Sequence, residues 1–197
     1  MTKPSQLLKF IQILPHAPTK DDFLMKDLPS SGKRIDILCR DLSACFDWAP
    51  DSWPRPHLEL SAILQDSVTL TFSEPGPLLP LGEVRWAQVI KDSLAGRPPG
   101  FVKVRQSGLE QAIKVSRATA DSSVWLLEAD GKPFSEVSDL CRNAENSFIL
   151  GDHQGFDTKT LQIADQYGIP HVSFGKTSYL GSHCVAAVIS EYERMND

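Results

Sequence analysis

The chain has 197 residues, of which 41% are hydrophobic and 23% charged, and it carries a formal net charge of -5. This size and composition are typical of one globular domain that folds without metals or disulfides, and the acidic total argues against a protein that coats nucleic acid through its overall charge. The chain shows no signal-peptide pattern, no apolar run as long as a membrane span and no zinc-type spacing among its four cysteines, so we expect a cytoplasmic protein with free thiols, no membrane segment and no bound metal.

The first half of the chain alternates apolar stretches with turn residues. Its first strand is mostly apolar and stops at Pro15, as a buried strand would. The alternation from Val68 to Phe72, just after the turn residues Gln65 and Asp66, predicts the second strand of a hairpin. The predicted elements in chain order are strand Lys9–Leu14, a loop over 15–30, helix Ser31–Trp48, a connector Pro50–Pro56, strands His57–Leu64 and Ser67–Phe72, a loop Ser73–Gly82, helix Glu83–Ala95, strand Phe101–Val104 and helix Ser107–Ala118.

The first predicted helix has one apolar face and one charged face. Helical spacing relates the apolar residues Ile35, Leu38, Cys39, Leu42 and Phe46, which predicts that they face the core. The charged residues lie largely off that stripe; they are Arg34, Asp36, Arg40 and Asp41. For Arg34 and Asp36, the sequence alone favours a solvated helix face. Ser30 or Ser31 can cap the start of this helix, and Pro50 forbids its continuation.

Strands alternate with helices through the second half of the chain. The predicted elements are strand Ser122–Leu127 running into a turn over 128–131, helix Val137–Asn143, strand Ser147–Leu150, helix Thr158–Tyr167, strand His171–Phe174 and a closing helix from about Leu180. Such alternation favours a mostly parallel sheet with helices on both faces. We therefore predict an α/β fold and a single domain over residues 1–197.

Two predicted strands end in glycine followed by small polar residues. The loops are Gly151–Gly155, which reads GDHQG, and 175–178, which reads GKTS. Glycine lets a backbone approach a ligand closely, and strand ends of an α/β sheet form ligand crevices. Neither loop has the spacing of a dinucleotide fingerprint or a P-loop, which disfavours a nucleotide-phosphate site. An ordinary strand-to-helix turn is the alternative for either loop alone.

Two further groups of residues are candidates for ligand binding or catalysis. Cys184 lies at the start of the last helix, where packing against a ligand is favoured over nucleophilic chemistry because the adjacent His183 would not face it. Arg34 and Asp36 follow Gly32-Lys33 at the start of the first helix. An arginine there can contact phosphate or a base, and a carboxylate can orient a ligand or remove a proton.

Five segments of the chain stand in a specific order and spacing. They are GKRIDILCR at 32–40, LLEADG at 126–131, FILGDHQG at 148–155, VSFG at 172–175 and SYLGSHCVAAVISEYER at 178–194. Each segment is weak evidence alone, but together they resemble the motifs of the tRNA pseudouridine N1-methyltransferases, which belong to the SPOUT methyltransferases. The resemblance extends over most of the chain.

The resemblance implies a fold, a cofactor and a reaction. It implies a deep trefoil knot in the C-terminal part, about residues 122–197, and homodimers with the site near the interface. It implies an S-adenosylmethionine-dependent methyltransferase of tRNA processing that acts on N1 of pseudouridine. The cofactor-lining residues implied by position are Leu127, Leu150, Gly151, Phe174, Gly175, Ser178, Tyr179, Leu180 and Cys184.

For the reaction that the resemblance implies, our hypothesis assigns a catalytic role to the N-terminal motif. We expect Asp36 to remove the N1 proton or to orient the ring, and Arg34 to hold RNA, during a direct methyl transfer without a covalent enzyme intermediate. Local positive charge for RNA would come first from Lys26, Lys33, Arg34 and Arg40, and next from Arg97, Lys103 and Arg105.

The chain departs from the family pattern at two places. Gly181-Ser182 stands where the family carries Ala-Asp, and the segment 190–194, SEYER, stands where it carries Asn-Glu-Leu-Asp-Arg. The loop glycines and Cys184 remain, so we expect cofactor binding to persist. The departures bear instead on the identity of the RNA substrate, and a pseudouridine in an RNA other than tRNA is an alternative target. Two alternatives stay open: another SPOUT enzyme that methylates a base or ribose of rRNA, and a non-catalytic module that binds cofactor or RNA.

Overall fold

A seven-stranded sheet forms the centre of the protein in a computed structural model that describes residues 6–49, 55–76 and 79–195. Its strands are β1 Leu7–Leu14, β2 Leu58–Leu64, β3 Val68–Ser73, β4 Val102–Arg105, β5 Ser122–Pro133, β6 Glu145–Leu150 and β7 His171–Ser173, in the order β4-β3-β2-β1-β6-β5-β7. The pairs β1–β2, β1–β6, β5–β6 and β5–β7 are parallel, whereas β2–β3 and β3–β4 are antiparallel. The prediction of a mostly parallel sheet is confirmed.

Helices cover both faces of this sheet, as predicted. They are α1 Ile35–Leu42, α2 Glu83–Leu94, α3 Leu109–Ser116, α4 Asp139–Arg142, α5 Thr158–Gln166 and α6 Gly181–Met195. A π-helix, Ser43–Asp47, continues α1, and short 3₁₀ turns occupy Arg55–His57 and Phe134–Glu136. Within the described ranges, no helix is both long and apolar enough to cross a membrane.

Two hydrophobic cores, one on each face, hold the layers together. The larger core buries residues of α1, α2 and α6 against the sheet. The smaller core buries Leu109 and Ile113 of α3 and Ile163 and Ala164 of α5. Aromatic rings stack beneath α6: Phe134 lies 5.9 Å from Phe148 and 4.8 Å from Phe174, measured between ring centroids. Stacked pairs of this kind contribute about 0.5–1.5 kcal/mol beyond their buried area.

The first helix starts differently from the prediction. It begins at Ile35 rather than Ser31, and its N-cap residue Arg34 has left-handed backbone angles, φ 71° and ψ 29°, with no side-chain cap. The Ser31 hydroxyl instead donates to the carbonyl of Asp27 at 2.6 Å and accepts the N–H of Leu24 at 2.9 Å. The prediction of a serine cap was therefore wrong, because this serine closes the turn that precedes the helix.

The charged residues of α1 are only partly on a solvated face. All five residues of its predicted apolar stripe are 0% exposed, which confirms the stripe. Asp36 and Asp41, however, are 0% and 1% exposed, whereas Arg34 and Arg40 are partly exposed. The interpretation as a solvated face was wrong for Asp36, and Asp41 is buried although it lies off the apolar stripe, since α1 packs against α2 and α6 as well as covering the sheet.

The fifth strand is longer than predicted and is interrupted. It runs to Pro133 instead of stopping at Leu127, but its pairing with β7 breaks because Leu127 and Lys132 both lie opposite Val172. The four residues between them are extra on one strand, as in a large bulge. Gly131 is required there, since a Cβ would lie 2.6 Å from the backbone nitrogen of Val172. The predicted turn residues thus interrupt the strand without ending it.

The remaining elements differ from the predictions by one or two residues at their ends. One of these differences has a clear cause: α3 begins at Leu109 rather than Ser107 because the carboxylate of Asp66 accepts the Leu109 N–H at 2.7 Å. In the predicted connector, 50–54 lies outside the described residues and the rest is the 3₁₀ turn. In the predicted loop Ser73–Gly82, residues 77 and 78 also lie outside them.

Candidate functional site

The two glycine-ended strands and the start of α6 enclose a cleft with a volume of about 260 Å³. Strand β6 ends at Leu150, just before Gly151, and β7 ends just before Phe174 and Gly175. These strands and β5 run parallel, so their carboxyl ends meet at one edge of the sheet. The first turn of α6 and the interrupted part of β5 complete the walls of the cleft.

Most of the cofactor residues predicted from the resemblance lie together in this cleft. Its lining includes Leu127, Leu150, Gly151, Phe174, Gly175, Ser178, Tyr179 and Cys184. The ninth predicted residue, Leu180, is not part of the lining and is 45% exposed. The structure therefore brings eight of these side chains and backbone segments to one place, and leaves Leu180 on the surface beside it.

Several lining residues had not been predicted. They include three acidic residues, Glu128, Asp130 and Asp152, and also Gly155, Phe156 and Thr177. The first two belong to the interrupted part of β5, in the segment LLEADG at 126–131. That segment was among the motifs of the resemblance, but residues 128–131 themselves predicted only a turn. Asp152 and Gly155 belong to the glycine loop itself.

Glycine is needed at three positions around the cleft. A Cβ on Gly151 would lie 2.8 Å from both the carbonyl carbon and the oxygen of Gly155, because Asp152 and Gly155 exchange backbone hydrogen bonds across a tight turn. Gly155 has φ +88° and Gly175 has φ +122°, values that other residues rarely adopt. The small polar residues after each strand therefore form turns that hold backbone groups against the cleft.

A serine hydroxyl connects two walls of the cleft. The Oγ atom of Ser173 accepts the N–H of Gly175 at 2.9 Å and lies 3.0 Å from the carbonyl oxygen of Ala129. Ser173 is 5% exposed, so water competes little for these contacts. This hydroxyl fixes the loop after β7 against the interrupted part of β5.

The thiol of Cys184 is half-buried at the edge of the cleft. Burial, with a smaller contribution from the nearby Asp41 carboxyl, raises its pKa to about 11. A thiol with this pKa is almost entirely protonated near neutral pH, whereas nucleophilic chemistry requires the thiolate. His183 is exposed, in agreement with the expectation that adjacent helix positions face different ways. The geometry therefore favours packing over nucleophilic attack at this position.

A second group of charges, Arg34, Asp36 and Arg40, lies at the start of α1. Arg34 donates to both oxygens of Asp36, from Nε at 3.0 Å and from Nη2 at 3.1 Å, and Arg40 donates to the same carboxylate. The hydrogen bonds from Arg34 to Asp36 raise the pKa of Arg34, burial lowers it, and the charge of Asp152 raises it slightly. Because Asp152 lines the cleft, its electrostatic effect on Arg34 indicates that this group of charges lies near the cleft.

This geometry bears on the predicted roles of Asp36 and Arg34. Asp36 is 0% exposed, and both of its oxygens accept hydrogen bonds from guanidinium groups. Such a carboxylate is well placed to hold two arginines, and less well placed to reach a substrate proton. Arg34 keeps 34% of its side chain exposed and can contact a ligand.

The predicted cationic residues lie before and in α1, after α2, and on β4. Lys26 and Lys33 are exposed in the segment that leads into α1, close in sequence to Arg34. Lys103 and Arg105 are exposed on β4, at the opposite edge of the sheet from β7. Across the described ranges, no group of three or more His, Cys, Asp or Glu residues is arranged to hold a metal ion.

Comparison with known proteins identifies relatives over nearly the full length. A family model described as SAM-dependent RNA methyltransferase matches residues 7–196. The tRNA (pseudouridine(54)-N(1))-methyltransferase of Methanococcoides burtonii is 30% identical over 94% of this chain and 95% of its own length. The protein of the same name from Thermococcus kodakarensis is 32% identical over 87% of this chain and 91% of its own.

Solved structures share the fold at lower sequence identity. Archaeoglobus fulgidus Nep1 bound to S-adenosylhomocysteine has a TM-score of 0.69 and 17% identity, and the match covers 97% of this chain and 98% of that one. A ribosomal RNA small subunit methyltransferase E from Neisseria gonorrhoeae, bound to S-adenosyl methionine, has a TM-score of 0.53 and 13% identity, with 98% and 68% covered. From the match to the family model over nearly its whole length, the chain belongs to the family of S-adenosylmethionine-dependent RNA methyltransferases.

Proposed function

We propose that this protein methylates N1 of a pseudouridine in tRNA, at position 54. The observation that carries this proposal is the similarity, along nearly the whole chain, to proteins whose names state that reaction. The cleft at the ends of β5, β6 and β7 supports it, since it provides one place for a cofactor beside a group of arginines. Position 54 of tRNA is the most specific element of this proposal, and it is tested separately with modified transcripts.

We assign the cleft to S-adenosylmethionine on the chemistry of its lining. The apolar strand ends Leu127, Leu150 and Phe174 offer contact surface for an aromatic base. Gly151 and Gly175 leave backbone groups accessible to the polar edges of the ligand. When bound, S-adenosylmethionine supplies an electrophilic methyl group on a sulfonium centre.

The charges around the cleft suit a cationic ligand. Three carboxylates contribute to the lining, and the described lining residues include no lysine or arginine. A sulfonium and an ammonium group are both positive, so this lining favours them, whereas it would repel a phosphate. The residues present therefore fit S-adenosylmethionine better than a nucleotide phosphate.

The protein's main contribution to the reaction is positioning. Holding a methyl donor and a ring nitrogen in reactive geometry can supply up to about 7–11 kcal/mol of the barrier. We propose that Arg34 contacts the RNA and that Asp36, together with Arg40, orients Arg34 through the hydrogen bonds described above. Removal of the N1 proton by Asp36 itself is the competing role.

A double-variant experiment separates the two roles of Asp36. Arg34→Gln, Asp36→Asn and the double variant are compared in single-turnover methylation at saturating cofactor. If Asp36 acts through Arg34, the double variant is no slower than Arg34→Gln alone. If Asp36 is a general base, the double variant methylates a further ~10²–10⁴-fold more slowly than Arg34→Gln alone. An exposed arginine that is distant in sequence from this group and is not among the predicted RNA-binding cations, Arg142→Gln, serves as the control.

We further propose a C-terminal knot over about residues 122–197 and a homodimer with the cleft near its interface. Tyr179 and Leu180 support the dimer, since both are large, 49% and 45% exposed, and next to the cleft. Leu180→Glu should shift the mass measured by light scattering toward that of the monomer. Leu24→Glu, at a residue 52% exposed in another part of the chain, should not.

The decisive experiment uses tRNA transcripts that differ at one nucleotide. Transfer of tritium from labelled S-adenosylmethionine is measured on tRNA with pseudouridine at position 54 and on the same tRNA with uridine there. Mass spectrometry then identifies the modified nucleoside. We expect N1-methylpseudouridine from the first transcript only. Equal transfer to both transcripts would overturn the proposed target, and the absence of transfer despite cofactor binding would overturn the proposed activity.

A further inference from the structure

Two buried oxygen atoms beside the cleft have no hydrogen-bond partner among the described residues. One is Oε1 of Gln12, on β1, and the other is Oδ2 of Asp41, on α1. Their residues are 0% and 1% exposed, so bulk water does not reach them. Buried polar atoms are nearly always paired, and an isolated buried carboxylate is especially unfavourable. The pair of atoms therefore requires an explanation.

Both atoms face the same glycine at the start of α6. A Cβ built on Gly181 would lie 2.7 Å from Oε1 of Gln12, and 2.9 Å and 3.0 Å from the two carboxyl oxygens of Asp41. All three oxygens thus surround one small space against a residue that lines the cleft. Any larger side chain at position 181 would fill that space.

The orientation of the Gln12 amide is determined by its other end. Its Nε2 donates to the carbonyl oxygen of Ile13 at 3.1 Å and to that of Gly151 at 2.9 Å. The oxygen that faces Gly181 is therefore an acceptor, and what it lacks is a donor. A carboxylate cannot supply one, but a protonated carboxyl group can.

The surroundings of Asp41 favour the protonated form. Burial raises the pKa of its carboxyl well above the usual range; Arg40 opposes this effect and Asp36 reinforces it. Arg40 donates to Asp36, which leaves Asp41 without an ion-pair partner among the described residues. One proton on Asp41 would therefore remove the charge and also provide a donor in the small space that Oε1 of Gln12 faces.

We propose that Asp41, as a neutral acid, donates a hydrogen bond to Gln12, and that Gln12 in turn holds the carbonyl of Gly151 at the wall of the cleft. Asp41 is thus a positioning residue that acts through Gln12 on the loop 151–155. The hydrogen bonds from Asp41 to Gln12 and from Gln12 to Gly151 form a relay. The inference rests on the proposed cofactor site for its function. The hydrogen-bonded pair itself does not depend on which ligand the cleft binds.

Four variants test this relay. Asp41→Asn keeps a neutral donor in the same place, Asp41→Ala removes it, Gln12→Met removes the amide at similar volume, and the double variant of the last two removes both. Ile90→Ala, in the core of α2 and outside the cleft lining, controls for a general loss of stability. S-adenosylmethionine affinity is measured by calorimetry, and stability by urea unfolding.

We expect Asp41→Asn to bind S-adenosylmethionine within about twofold of the unsubstituted protein, because it preserves the donor. Asp41→Ala and Gln12→Met should each weaken binding by about 2- to 10-fold, the range for one lost hydrogen bond. The double variant should be no weaker than Gln12→Met, and Ile90→Ala should leave the affinity unchanged. The rate at saturating cofactor should stay within about twofold throughout, since the relay acts on binding.

Two results would overturn the relay. One is an Asp41→Asn variant that loses as much affinity as Asp41→Ala, since a charge rather than a donor would then be needed. The other is a double variant whose losses simply add, in binding or in unfolding. If the unsubstituted protein does not bind S-adenosylmethionine, the proposed cofactor site fails, and the urea cycle between Gln12 and Asp41 still decides the hydrogen bond.

Discussion

Replacing Asp41 by asparagine should change how the stability of the protein depends on pH. In the folded protein this carboxyl is 1% exposed, and burial raises its pKa well above the ordinary value of 3.8. In the unfolded chain the same group is solvated and titrates near that ordinary value. Asparagine has nearly the same shape and does not titrate, so the substitution removes this one proton equilibrium from the folding reaction.

The size and sign of the effect follow from proton linkage. Between the two pKa values, the folded state binds the proton and the unfolded state does not, so the free energy of unfolding falls as pH rises. The contribution of the neutral acid is complete below the unfolded-state pKa and is lost as pH rises to the folded-state pKa. Within that window, the stability advantage of Asp41→Asn should grow by about 1.4 kcal/mol per pH unit and then become constant.

This difference can be measured by urea unfolding followed by tryptophan fluorescence. The measurement is repeated from about pH 4.5 to about pH 8.5 in steps of about one pH unit. Subtracting the two curves cancels, to first order, the titration of the groups around Asp41, which are Asp36, Arg40, Cys39, Cys45 and Cys184. A difference that is the same at every pH would show that Asp41 titrates alike in both states. That result would refute the argument that burial keeps it protonated.

Three further predictions concern the cleft and the helix ends. Gly151→Ala should weaken S-adenosylmethionine binding in calorimetry, since its Cβ would meet backbone at 2.8 Å, whereas Gly100→Ala, with open space around it, should not; equal affinities would contradict the close approach. Cys184, with a pKa of about 11, should react with iodoacetamide at pH 8 far more slowly than the exposed Cys141, and equal rates in peptide mass spectrometry would contradict its burial. Asp157→Ala should lower the free energy of unfolding by about 0.5–2 kcal/mol, because its carboxylate caps α5; an unchanged urea midpoint would argue against that cap.

Much of the fold could be predicted because its signals are local. The apolar stripe of α1, the alternation in β3 and the glycine that follows β6 depend on residues close together in the sequence. The burial of Asp36 and Asp41 could not be predicted in the same way, because it results from α2 and α6 packing against α1. Periodicity identifies the face of a helix that meets the sheet, but not a second helix that covers its other side.

The site shows the same division between local and distant causes. Glycine at two strand ends predicted the loops after β6 and β7, and the resemblance to a family added side chains such as Leu127 and Tyr179. The carboxylates of Glu128 and Asp130 were missed because they reach the cleft through an interruption in the pairing of β5 with β7. That interruption depends on the pairing of two strands about 40 residues apart in the sequence, which lies outside the short windows in which periodicity is read.

The packing around Gly181 gives a physical reason for one departure from the family pattern. An alanine there, as in the family, would place its Cβ within 3.0 Å of Gln12 and Asp41 oxygens, closer than side chains pack. Glycine at 181 and a buried acid at 41 therefore accommodate each other. Gly181→Ala should weaken S-adenosylmethionine binding when Asp41 is present and much less in an Asp41→Ala background, where the space is free. Equal losses in both backgrounds, measured by calorimetry, would show that the two positions are independent. Because Gly181 is buried and lines the cleft, this departure affects the cofactor wall more directly than the RNA surface.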